Sequence, residues 1–366
     1  KFKQHMDFVG QTPWVWISNP TRTGYTFTGW TISPSRTTKS HNNGTAIHAG
    51  LSGGDFTITA NWKDDIAPSG SFSPNSRGWG NSNVSVTISG SDSGSGVKRI
   101  RYRTETNGSW GSWSGWTSGS SRTVTLSSNG SYRLQAEIED NAGNTKTITS
   151  GYYRIDKTQP SVSFSPNSRD WGNSNVSVSI SMSDSGGSGF KQHRYRTETN
   201  GSWGSWSSWS TSSSRSISFS SNGSYRIQVE AQDNAGNTRS ATSGYFRIDK
   251  TGPTVSVTPD QQTSWGNSNI PITIKVSDSG GSSLYRWRVR YETNGSWGSW
   301  SSYQTSTSYN ETLTTEGNRR VQVEAYDNAG NKTTYTSGYY RIDKTAPSVS
   351  ANTSSRDWGN SDVSVT

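Results

Sequence analysis

Nine aspartates recur in sets of three along the chain. Asp92, Asp184 and Asp278 stand in "SDSG" stretches, and Asp140, Asp233 and Asp327 open a "DNAGN" stretch. Asp64, Asp156 and Asp249 lie in the segments between repeats. Carboxylates are the natural ligands of hard cations, and calcium takes several oxygens at once. Three carboxylates brought together would therefore make these residues a candidate calcium position at each joint. The competing use is the Asx turn, in which an aspartate beside glycine bonds its own backbone two residues on. Both uses remain open at this level.

A second recurrent set pairs arginine with tryptophan. Arg99, Arg101 and Arg103 alternate along one run, followed by Trp110, Trp113 and Trp116 at every third position. The set returns as Gln192, Arg194, Arg196 with Trp203, Trp206, Trp209, and as Arg286, Arg288, Arg290 with Trp297, Trp300, Tyr303. Alternate residues share one face of a strand. Residues spaced by three share a face of a polyproline II helix. Guanidinium planes stacked on indoles contribute roughly 0.5–2 kcal/mol each, so an interleaved ladder would stiffen a sheet edge. The rival reading is recognition, with exposed rings stacking on sugars and the arginines and Asn107 bonding hydroxyls or sulfates.

Other chemistry finds little support. The chain has no cysteine, so disulfides and thiolate ligands are excluded. Of the four histidines, His5, His41 and His48 fall near the N-terminus, and His193 replaces a core-facing Ile100. No nucleophile elbow, H-E-x-x-H, P-loop or dinucleotide fingerprint is present. The expectation is a protein that is not an enzyme and requires no cofactor, calcium at the joints being the one candidate. A net charge of +9, from 35 Lys and Arg against 26 Asp and Glu, favours polyanions. Glycans or anionic cell-wall polymers are thus candidate partners, besides other copies or domains of the same protein. No nucleic-acid-binding pattern and no membrane-length apolar run is found.

The elements that position these residues follow from repetition. "WGNSN" begins at Trp79, Trp171 and Trp265, and "WGNSD" at Trp358. "RIDKT" closes units at Arg154, Arg247 and Arg341. The spacing is about 93 residues, which predicts repeats at 64–156, 157–249 and 250–343, an incomplete fourth at 344–366, and a separate module at 1–63. Within each unit some seven short runs alternate apolar and polar residues between glycine- and asparagine-rich turns, which is strand periodicity. Only 27% of residues are hydrophobic, but 17 Trp, 16 Tyr and 9 Phe supply large buried areas for small cores. The expected fold class is all-β: an elongated array of tandem Ig-like or fibronectin-like β-sandwiches with a small N-terminal β-grasp-like module. Tyr132 and Tyr225 suit a tyrosine corner, and Arg319 takes that position in the third repeat. In such a sandwich the "SDSG" loop, the "DNAGN" loop and the incoming linker meet at one end.

"DNAGN" followed by a strand and "RIDKTAP" resembles the bacterial Ig-like repeats of large Gram-positive surface proteins. Residues 20–62, with "GYTFTGW" and "ITANW", resemble the Listeria–Bacteroides repeat of internalin-type proteins. The Trp–Arg pattern itself resembles the ladders of cytokine-receptor and thrombospondin type 1 modules over about 18 residues of each repeat. The first two resemblances imply a bacterial cell-surface, extracellular location. They imply a stalk or fibre segment that spaces a binding tip from the cell. Two alternatives stand beside it: a direct glycan or cell-wall-polymer binder acting through the Trp faces, and a subunit of a surface filament or phage appendage joined by strand addition. The short "IDKTxP" linkers, with Pro160, Pro253 and Pro347, favour restricted joints.

Overall fold

Runs that alternate apolar and polar residues can bury one face only, so they pair edge to edge and stack in layers. The computed structural model describes residues 2–3, 14–36, 38–41, 44–48, 56–350 and 362, and every regular element among them is a β-strand. None of the described residues forms a helix long and apolar enough to cross a membrane.

In the first repeat, strand Val84–Ser91 lies between Ser69–Ser73 and Ser121–Leu126 in a three-stranded sheet. The second sheet runs from Ser109–Trp110 through Val97–Thr106, Gly130–Asp140 and Tyr153–Ile155 to Arg77–Gly80. Tyr153–Ile155 pairs with Arg77–Gly80 in parallel; the other pairings are antiparallel. The inward residues of both sheets form one core: Val86, Ile88, Ile100, Leu134, Ala136, Ile138, Tyr153 and Ile155 are all essentially inaccessible. Burying each large aliphatic side chain contributes about 1.5–3 kcal/mol.

The same two-sheet order recurs in the second and third repeats. Position 100 of the first repeat becomes His193 in the second and Trp287 in the third, and all three are buried. Trp287 satisfies its indole N–H on the Ser306 carbonyl at 2.7 Å. The Tyr132 and Tyr225 hydroxyls donate to the Ser128 and Ser221 carbonyls, both at 3.0 Å. In the third repeat Arg319 closes this corner, donating through Nε to the Glu292 carbonyl at 3.1 Å. By backbone contacts the chain forms two units. One comprises residues 1–160 with 183–191 and 232–238, and the other 161–182, 192–231 and 239–366.

The N-terminal region contains two three-stranded antiparallel sheets. Its "GYTFTGW" and "ITANW" segments pair directly, Phe27 opposite Trp62, across a bulge before Gly29. Phe27 meets Trp30 and Trp62 edge-on at 5.0 and 5.7 Å, and Phe56 and Ile58 pack against Ile17, Trp30 and Ile32. The stretch expected to supply the first strands of a fourth repeat is 348–366; its residues 348–350 form no strand, and of the rest only Asp362 is among the described residues.

Candidate functional site

Strand Val97–Thr106 sends Ile100 into the core and Arg99, Arg101 and Arg103 to the opposite face. The run after it belongs to no strand between Gly111 and Trp116, and it is tied alongside by Gly111 N–H to the Thr104 carbonyl and Ser114 N–H to the Tyr102 carbonyl. Three residues of the run thus advance past two of the strand, about 6.6 Å. An ideal polyproline II turn would advance roughly 9.3 Å, so the run is more tightly coiled than that form. The shorter step is also close to two van der Waals contacts of about 3.5 Å, the spacing that lets one ring and one guanidinium fit per step.

The result is an alternating stack. Arg99 lies 4.5 Å from the Trp116 ring centre, and Arg101 lies 4.6 Å from Trp116 and 5.0 Å from Trp113. Arg103 lies 4.8 Å from Trp113 and 5.1 Å from Trp110. The stack continues through residues that sequence reasoning missed: Arg133 sits 5.6 Å from Trp110 and 4.9 Å from Tyr152. The second repeat repeats this with Arg194, Arg196 and Arg226 among Trp203, Trp206, Trp209 and Tyr245. The third does so with Arg286, Arg288, Arg290 and Arg320 among Trp297, Trp300, Tyr303 and Tyr339. The missed signal was the arginine after the corner position, which faces Glu105, Glu198 or Glu292 across the sheet.

Most of these guanidiniums are neutralised from the side while their faces meet rings. Nε of Arg99 donates to Glu139 at 2.7 Å, Arg101 to Glu137 at 2.6 Å, and Arg103 to Gln135 at 2.8 Å. The Arg99 hydrogen bond, opposed by burial and reinforced by Lys98, holds the Glu139 carboxyl below the usual range. Glu105, Glu198 and Glu292 are almost fully buried beneath Arg133, Arg226 and Arg320. Trp110, Trp113 and Trp116 each carry a cation on two sides. Trp209, beside Gln192 rather than an arginine, meets Arg194 at 4.8 Å.

The aspartates meet at the end of the sandwich next to the outermost rung, where Asp140 follows Glu139 and Asp327 follows Tyr326. Carboxylate oxygens of Asp64, Asp92 and Asp140 lie within 4.8 Å of one another, as do those of Asp156, Asp184 and Asp233, and of Asp249, Asp278 and Asp327. Asx turns are present as well: Asp92 accepts from the N–H groups of Gly94 and Gly96 at 3.0 and 2.7 Å. Asp156, fully buried, accepts from Ser188 N–H at 2.9 Å, and Asn237 donates to its carbonyl at 2.8 Å. Burial would raise its carboxyl, but the Ser188 hydroxyl and N–H and the Thr158 groups outweigh that and hold it low. Asp64 and Asp249 receive the same bonds from Ser95 and Asn144, and from Ser282 and Asn331. A Cβ on Gly186 would overlap the Asp156 carboxylate, so only glycine fits there. Three carboxylates fall short of the six to eight oxygens calcium takes, but Asp92 keeps a buried Oδ1 with no hydrogen bond.

Two further contacts complete the joints that follow the first and second repeats. The "WGNSN" tryptophan covers a glycine of the next tip, Trp79 on Gly187 and Trp171 on Gly281. The "IDK" lysine reaches back: Lys157 Nζ donates to Asn83 Oδ1 at 2.7 Å and the Ser127 carbonyl at 2.6 Å. Lys250 and Lys344 do likewise with Asn175 and Ser220, and with Asn269 and Thr314.

Tandem β-sandwiches of Ig-like topology, each carrying a cation–π stack and an aspartate-lined tip, define the class. The chain belongs to the bacterial Ig-like domain family, whose model matches residues 52–157, 172–250 and 268–344. Among solved structures it is similar to the fibronectin(III)-like modules of CbhA from Clostridium thermocellum, with 18% identity over 50% of this chain and 94% of that one and a TM-score of 0.23. It is also similar to the FN1–FN3 domains of chicken CNTN1, with 15% identity over 72% of this chain and 96% of that one and a TM-score of 0.27. No curated protein matches it.

Proposed function

We propose that this chain is a non-catalytic spacer in an extracellular bacterial surface protein, a stalk or fibre segment that holds a binding part away from the cell. The observation that carries this reading is the threefold joint, in which a linker aspartate is bound by the tip of the following repeat. A spacer needs joints that resist bending, and buried hydrogen bonds to a carboxylate, at about 1.5–3 kcal/mol each, supply that resistance. In this reading the repeats run 64–156, 157–249 and 250–343 and are of the "DNAGN"/"RIDKTAP" type. Residues 20–62 form a Listeria–Bacteroides-like module. The aspartate triads are calcium positions that tie linker to tip.

The Trp–Arg stacks serve as scaffold in the same reading, because a sugar stacks on an open ring face and the inner rungs offer none. The absence of cysteine makes the test clean. Spin labels at Ser85→Cys and Ser177→Cys, both exposed positions, report the distance between the first and second repeats by pulsed electron resonance. A narrow distribution that broadens with Asp156→Ala is expected. A broad distribution in the otherwise unaltered chain overturns the spacer reading.

A further inference from the structure

The third repeat departs from the other two at one end of its ladder, and the departure leaves a guanidinium with no paired carboxylate among the described residues. In the first repeat Arg99 stands opposite Glu139 in the sheet, and the pair forms a salt bridge with Lys98 joining it. The corresponding positions in the second repeat are Gln192, Gln232 and Lys191, which carry no arginine and no acid. In the third repeat the arginine is kept as Arg286, while the glutamate, the lysine and the final tryptophan have all become tyrosines: Tyr326, Tyr285 and Tyr303.

Those three tyrosines gather around the one guanidinium. Arg286 lies 4.0 Å from the Tyr303 ring centre, 4.9 Å from Tyr285 and 5.9 Å from Tyr326. Its Nε is buried without a hydrogen bond, and no carboxylate pairs with it among the described residues. The nearby acid, Glu324, is already bound to Arg288 and Lys332. Lys332 also sits 5.7 Å over Tyr326, adding positive potential. Tyr285 and Tyr303 are 50% and 41% exposed, so the cluster faces solvent.

A guanidinium desolvated on one side by aromatic rings and lacking a counter-ion is a receptor for a planar anion, since carboxylates match its fork of donors. Exposed tyrosines beside it present an apolar face and a hydroxyl, which suit a sugar ring. We infer that the third repeat binds the carboxylate of an acidic sugar at Arg286, with Tyr285 against the sugar ring and the tyrosine hydroxyls on its own hydroxyls. The spacer reading does not require this site.

The test uses the full chain and two substitutions that copy residues the other repeats hold at these positions. Arg286→Gln reproduces Gln192, and Tyr326→Glu reproduces the internal counter-ion Glu139. Oligogalacturonate is titrated calorimetrically, with dextran as the neutral control and heparin as the sulfated one. Saturable binding of oligogalacturonate, weakened on the order of tenfold or more by either substitution, is expected. The inference is overturned if the unaltered chain shows no saturable binding, or if both variants bind undiminished. Equal binding of dextran overturns it by showing a site indifferent to charge. Equal binding of heparin that disappears with salt overturns it by showing adsorption through net charge.

Discussion

Replacing Trp113 with alanine removes the central rung of the first ladder and measures how much the stack contributes. The indole is partly buried and lies between Arg101 and Arg103, at 5.0 and 4.8 Å. Two cation–π contacts at a partly exposed site are worth about 0.5–1 kcal/mol each. Removing on the order of 100 Å² of buried apolar surface at 25 cal/mol per Å² costs about 2.5 kcal/mol more. The arginines stay bonded to Glu137 and Gln135, so no orphaned charge adds to the loss. The sum is about 3.5–4.5 kcal/mol. Native-state hydrogen exchange reads this one repeat at a time, the others serving as controls. Amides in Val97–Thr106 and Gly130–Asp140 are expected to lose protection by a factor of about 100 or more, since about 1.4 kcal/mol corresponds to tenfold. Rings held only as an exposed platform would cost below about 1 kcal/mol. A loss of protection under about fivefold, or one spread equally over all repeats, would refute the scaffold argument.

Burial, with Arg215 nearby, lowers the His193 pKa against the opposing Ser212 contact. The second repeat should therefore hold its full stability above about pH 6.5 and lose it as the pH falls through that value, because the unfolded chain takes up the proton first. Its melting temperature at pH 7 and pH 5 checks this, and His193→Ile should remove the dependence. Gly281 has φ +111° and faces the Trp171 ring, 3.0 Å from where a Cβ would stand. Gly281→Ala should destabilise the third repeat by about 1–2 kcal/mol, measurable by denaturant unfolding. Calcium added back after chelation is expected to raise the melting temperature of the chain. Combined Asp92→Asn, Asp184→Asn and Asp278→Asn should abolish the rise, and an unchanged melting curve in the unaltered chain rejects the ion.

The β-sandwich class was legible because its cause is local: "NVSVTIS" and "SYRLQAEIED" alternate at period two, and the buried residues are the alternate ones. Arginine at every second position and rings at every third were equally local. The glutamates beneath the ladder, and the extension through Arg133 to Tyr152, depend on which strands become neighbours. Nothing in a single run announces that register. The Trp79–Gly187 contact joins residues more than 100 positions apart, and spacing alone gave "WGNSN" no partner. The Arg286 cluster was hidden for another reason. Its meaning lies in three substitutions in separate runs that converge only once Arg286 stands opposite Tyr326.

The linker aspartates divide their atoms between neighbours. The Asp156 N–H bonds to the Gly80 carbonyl of the repeat it leaves, while its carboxylate is held by Ser188 of the repeat it enters. Asp249 does the same between Gly172 and Ser282. Each tip is therefore finished by a residue made earlier in the chain, so assembly acquires a direction. A repeat emerging from the ribosome finds its capping residue already waiting, and the linker carboxylates of the three described tips all come from earlier sequence.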